Sequence, residues 1–177
     1  VANTMPAPYY RFDGSDDYPR IVVADDSKVE MGISDFSAEC YFRHEGSDDP
    51  QNLLKKYAAP GWILRINADN TIWLALRYDG TYNAYHTTTT TIDEGKWYHI
   101  VAVWDRDANV SLYINGVLDS TADISAVDGY DISSGTDLLL FGEPTQHPLH
   151  GQGSMARVWN KALTATEVKE LYSGASV

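Results

Sequence analysis

One cysteine, Cys40, stands alone among 177 residues, so the chain makes no internal disulfide and no cysteine-rich zinc site. Basic residues are scarce: 13 Lys and Arg face 25 Asp and Glu, for a formal charge of −12. That balance argues against nucleic acid, whose phosphates call for a basic patch, and against an anionic membrane surface. No apolar run approaches the roughly 18 residues that a membrane-spanning helix needs, so no membrane insertion is expected. No basic segment followed by an apolar stretch opens the chain, so no signal peptide is expected in it. Its start at Val1 instead of Met reads as a processed or excised piece of something larger. The sequence also has no Gly-x-Ser-x-Gly elbow, no His-Glu-x-x-His and no phosphate loop.

What is present is a core. Apolar residues make up 44% of the chain, with 12 Tyr, 5 Trp and 4 Phe, which excludes disorder. The length suits one domain. The acid is uneven: residues 1–50 carry 11 acids against 4 bases. Asp13, Asp16, Asp17, Asp25, Asp26, Asp48 and Asp49 read either as solvated turns or as carboxylates for a hard cation such as calcium.

The dominant period is two. Trp62, Leu64 and Ile66 alternate with Ile63, Arg65 and Asn67, the Asp69-Asn70 turn follows, and Ile72, Leu74 and Leu76 then take the core face. Thr87–Thr91 suits an exposed strand, and Trp97–Trp104 a strand covered on both faces. Asn115-Gly116 is a hairpin turn, and Leu138–Phe141 and Met155–Trp159 are later strands. Strands at this spacing predict an all-β sandwich. Near the end, Thr164-Ala165-Thr166-Glu167 spells a capping box. Leu163 and Val168 sit at its staple positions, Val168, Leu171 and Tyr172 form an apolar stripe, and Gly174 is a stop.

Five segments, in order, carry a resemblance. They are Phe12–Tyr18, Phe36–Phe42, Gly95–Val101, Leu112–Gly116 and Arg157–Leu163. They resemble the laminin G-like, concanavalin A-like lectin/glucanase domain, and residues 151–174 resemble the end of the pentraxins. The resemblance covers roughly residues 9–172. It implies an all-β jelly-roll sandwich of two antiparallel sheets, one concave, with one short C-terminal helix over residues 9–174. Residues 1–8 are then an N-terminal extension. It also implies a carbohydrate-binding, lectin-like or adhesive domain, or part of a larger enzyme.

Departures from the family limit this. Ala58-Ala59-Pro60 stands where the pentraxins have acidic calcium ligands, and Ser154 and Met155 stand where many laminin G-like relatives have an acidic pair. Glu143 does match a pentraxin ligand position. A double-calcium site is therefore not expected, but pairing of the first strand with the last would bring the Asp13–Asp17 loop and the Glu143 loop to one rim. Asp13, Asp16, Asp17 and Glu143 are the candidate calcium ligands. The Glu-x-Asp-x-x-Glu strand of the laminarinase-type glucanases does not occur here, so a glycoside hydrolase is the weakest of the readings. Cys40 and His99 lie in apolar strands and read as structural, and Trp97, Trp104 and Trp159 read as core.

Opposite the core set of the Trp62–Arg77 hairpin lie Arg65, Trp73 and Arg77, followed by Tyr78, Tyr82, Tyr85 and His86. Aromatic platforms stack on sugar C–H faces, and fixed donors and acceptors bind their hydroxyls. Arg65, Trp73, Arg77, Tyr78, Tyr82 and Tyr85 are thus the candidate ligand site. His147 and His150 join it as rim histidines, or form a transition-metal pair. A glycan or polysaccharide is the expected partner, outside the cell or on a virion. The alternative is a structural module whose aromatic face is buried in a homo-oligomer or against a parent multidomain protein.

Overall fold

The computed structural model describes residues 8–14, 21–25, 27–79, 83–143 and 146–175. The strands are β1 (Tyr10–Asp13), β2 (Ile21–Val23), β3 (Phe36–His44), β4 (Gln51–Tyr57), β5 (Gly61–Ile66) and β6 (Thr71–Arg77). They continue as β7 (Asn83–Thr91), β8 (Trp97–Trp104), β9 (Asn109–Ile114), β10 (Val117–Asp123), β11 (Leu138–Leu140) and β12 (His150–Trp159). A short 3-10 turn spans Ser125–Val127, and α1 (Ala165–Ala175) closes the chain. Two six-stranded antiparallel sheets result, ordered β1-β12-β3-β8-β9-β10 and β2-β11-β4-β5-β6-β7. This is the expected jelly-roll sandwich, and β1 does pair antiparallel with β12.

Alternation decides which side chains meet between the sheets. Phe36, Ala38, Cys40 and Phe42 of β3 face Trp62, Leu64 and Ile66 of β5, and all are buried. Phe36 stacks on Trp104 at 4.3 Å between centroids, and Trp62 closes the cluster from the opposite sheet at 5.4 Å from Phe36. Cys40 is a free buried thiol in this layer. At Asn115-Gly116 both residues have positive φ (52° and 76°), and the two-residue loop sets Val117 opposite Ile114.

The outward face of the first sheet is also covered. Val168 of α1 is buried against Val101, Val103, Tyr113 and Leu163, which explains why β8 is apolar on both sides. The capping box forms as read: Glu167 accepts from the Thr164 N–H at 2.8 Å, and Thr164 Oγ1 accepts from the Glu167 N–H at 3.3 Å. The helix runs one residue past Gly174, so this glycine occupies the last turn and does not end it. A Cβ there would meet nothing within 4 Å. Gly174→Ala is therefore expected to stabilise the protein by about 0.5–1 kcal/mol, read as a higher urea midpoint at unchanged m-value.

Strand β4 is the one that periodicity does not announce. Its inward position between Leu54 and Tyr57 is Lys56, only 1% exposed. The ammonium donates to Asp25 at 2.7 Å, lies 2.9 Å from Glu30, and donates to the Thr136 carbonyl. Ion pairing and three acceptors make a buried lysine tolerable there.

Candidate functional site

Strand register places the candidate residues on the outward face of the second sheet. Directly opposed residues share a face. One row reads Asn52, Arg65, Trp73, Thr87 across β4 to β7, and the next reads Lys55, Ile63, Ala75, Tyr85. A third carries Tyr57, Gly61 and Arg77. Ile63 and Ala75 thus form a flat floor, with Arg65 and Trp73 along one side and Tyr57 and Arg77 along the other. Gly61 leaves a gap in the third row, and Arg77 Nη1 crosses it to donate to Tyr57 Oη at 3.0 Å.

Trp73 is not a bare platform. The Arg65 guanidinium lies 4.1 Å from its ring centroid, and Arg65 Nε donates to Asn67 Oδ1 at 3.1 Å. One face of the half-buried indole is thereby occupied by a cation. Tyr85, 68% exposed, is the open aromatic of the face. Tyr78 follows Arg77 and so turns inward, packing on the core and stacking on Tyr130 at 3.9 Å. His86, opposite Leu74, likewise belongs to the inner side. Tyr82 lies outside the described residues.

The two histidines come together at the rim. His147 and His150 line a hollow of about 270 Å³ with Gly14, Ser47, Asp49, Pro50, Gln146 and Pro148. His150 Nδ1 lies 3.0 Å from the Gly46 carbonyl, and its Nε2 is 3.7 Å from Glu45. Burial, then the nearby Arg65 charge, holds the His147 pKa below its ordinary value, so its imidazole is neutral at pH 7. The His147 carbonyl accepts from the Asn52 N–H at 2.9 Å, which ties this loop to the first row of the sheet.

Residues 13–169 match the sequence model of the concanavalin A-like lectin/glucanases superfamily. The chain belongs to this superfamily. No curated protein matches it in sequence. Among solved structures it is similar to the binding domain of Paraclostridial Mosquitocidal Protein 1, at 17% identity and a TM-score of 0.77, covering 92% of this chain and 42% of that one. It is also similar to a heptameric SAP-like pentraxin from Limulus polyphemus, at 19% identity and a TM-score of 0.68, covering 93% and 81%. A third is the Ruminococcus gnavus IT-sialidase CBM40 bound to α2,3-sialyllactose, at 16% identity and a TM-score of 0.64, covering 93% and 98%. The chain spans less than half of the toxin binding domain it matches.

Of the four candidate calcium ligands, Glu143 sits beside β4. Its carboxylate is ion-paired with Lys55, beside a hollow of about 260 Å³ lined with Val22, Tyr57, Leu139 and Asp137. Asp13 stands opposite His150 in the ladder, and Asp16 and Asp17 lie outside the described residues. Among the described residues no three metal-ligating side chains gather. Nor is any helix among them long and apolar enough to cross a membrane.

Pattern reading missed a second set of charges under α1. Glu39 is fully buried; it accepts from His99 Nε2 at 2.6 Å and from Arg157 through Nε at 2.8 Å and Nη2 at 3.0 Å. Tyr172 of the helix stacks on His99 at 5.7 Å. Beside this cluster lies a cavity of about 670 Å³ lined by Met155, Trp159, Leu163 and Leu171 with Arg157 and Lys161. It is larger than the rim hollow, but its cations are already engaged, Arg157 by Glu39 and Lys161 by Glu167. The signal that could have found the cluster was the helix itself: an apolar stripe on α1 requires a sheet face beneath it, and Glu39 and His99 alternate onto that face.

Proposed function

We propose that the chain is a non-catalytic glycan-binding module that works outside the cell, as part of a larger protein or in several copies. The observation that carries this reading is the outward face of β4–β7. Trp73 and Tyr85 flank a flat floor of Ile63 and Ala75, with Arg65, Arg77 and Tyr57 held as hydrogen-bonding groups around it. Sugar C–H faces would stack on the aromatic rings while hydroxyls bind the guanidinium groups and Tyr57 Oη. Strands β4 to β7 contain no Asp or Glu, so they lack the carboxylate pair of a glycosidase on this face. The similarity to a CBM40 with bound sialyllactose supports the reading at the level of fold.

A single open site of this kind binds at about millimolar affinity, roughly −4 kcal/mol, so adhesion would come from multiple copies. On a glycan array, screened with and without chelator, the protein is expected to give hits that Trp73→Ala abolishes. Hits that survive Trp73→Ala would place the site elsewhere. Loss of an oligomer by light scattering in that variant, with no glycan bound, would favour an assembly module instead.

A further inference from the structure

We infer that the glycan taken by this face is acidic, with its carboxylate seated at Arg65. This rests on the glycan-binding reading above. The chain carries 25 acids and a net charge of −12, yet β4, β5, β6 and β7 hold Lys55, Lys56, Arg65 and Arg77 and not one Asp or Glu. Lys56 points into the core and is consumed there. Lys55 is paired with Glu143, and Arg77 is anchored on Tyr57.

Arg65 is different. Its Nε is held by Asn67 and its plane by the Trp73 ring, so the guanidinium is oriented. Among the described residues its two terminal nitrogens donate no hydrogen bond and no carboxylate lies within ion-pair distance. Partial burial lowers the Arg65 pKa, although a guanidinium stays charged throughout the physiological range. A fixed, partly desolvated cation with an unused fork matches a carboxylate in two parallel hydrogen bonds.

Two further observations fall at the same end of the row. His147 titrates low first because it is buried and then because Arg65 and Lys55 act on it, with Asp49 opposing, so Arg65 lies close enough to the rim hollow to be felt there. Asn52, opposite Arg65 and 1% exposed, has neither amide atom hydrogen bonded, which leaves a donor and an acceptor unused beside the guanidinium.

The shared chemistry is a sugar carboxylate, from a sialic acid or from a uronic acid, and the test separates the two. Sialyllactose and trigalacturonic acid, each beside its own methyl ester, are titrated by NMR line-shape changes against the wild-type chain, Arg65→Gln and Arg65→Lys. At least one acid is expected to bind about tenfold more tightly than its ester, because a charge-assisted fork is lost on esterification. Arg65→Gln should erase that difference, so that acid and ester bind this variant alike, whatever the level to which both fall. Arg65→Lys, which keeps the charge but not the fork, should retain only part of it, and it serves alone if Arg65→Gln fails to fold. Acid and ester binding equally to wild type would overturn the acidic preference while leaving glycan binding intact. An array without any glycan hit would instead remove the reading beneath it.

Discussion

Glu39→Ala is expected to destabilise the protein by about 3–5 kcal/mol, because it strands a buried imidazole and a guanidinium around an empty carboxylate position. For a chain of this length that corresponds to a fall of roughly 6–20 °C in the melting midpoint. Glu39 is fully buried on β3, and its partners come from two other strands, His99 from β8 and Arg157 from β12. Burial alone would raise its pKa. The hydrogen bonds from His99 and Arg157, with their charges, outweigh burial and bring it below the ordinary 4.5.

The sign of the pH dependence follows. A carboxylate whose folded pKa lies below its unfolded value contributes stability above the unfolded pKa and loses it as pH falls through the folded one. Wild type should therefore weaken progressively below about pH 4.5, and Glu39→Gln should lack that part of the slope while keeping most of the shape. Urea midpoints from pH 7 down to pH 3 test both variants. A Glu39→Ala thermal midpoint within about 2 °C of wild type at pH 7 would show that the cluster is not a structural anchor.

The parts legible in the sequence are those where a local rule and the tertiary fold agree. Asn115-Gly116 supplies two positive-φ residues where a tight hairpin needs them, and Thr164 with Glu167 caps the helix as its spacing requires. The shared face of Arg65, Trp73 and Arg77 is readable because Trp62, Leu64 and Ile66 fix the register and leave those residues no other side. Tyr78 was misplaced with them because the aromatic run was read by composition, where alternation turns it inward toward Tyr130. Strand β4 was not legible, since Lys56 occupies a core position through ion pairs to Asp25 and Glu30 that lie far away in the chain. The stacking of Arg65 on Trp73 was hidden for a related reason. Spacing puts both residues on one face, but only the β5–β6 register makes them direct neighbours.

Gly61→Ala is expected to be the most damaging single-methyl change in the second sheet. Gly61 adopts φ 148°, a conformation that side chains rarely enter. A Cβ there would lie 2.2 Å from the Lys56 carbonyl oxygen and 2.7 Å from the Tyr57 Cα, so backbone and not a flexible side chain must yield. Strain and overpacking together are expected to cost more than about 4 kcal/mol. The strands that would part are β4 and β5, and the Arg77–Tyr57 hydrogen bond that spans the gap over Gly61 would go with them. Gly135→Ala is the matched control, with φ 60° and open space around the added methyl, and should cost only about 1 kcal/mol. Urea unfolding of the two variants side by side separates steric from conformational cost. If Gly61→Ala unfolds at the same midpoint as Gly135→Ala, the close approach of β4 to β5 does not carry the floor of the groove, and the third row would have to be positioned by the Arg77–Tyr57 contact alone.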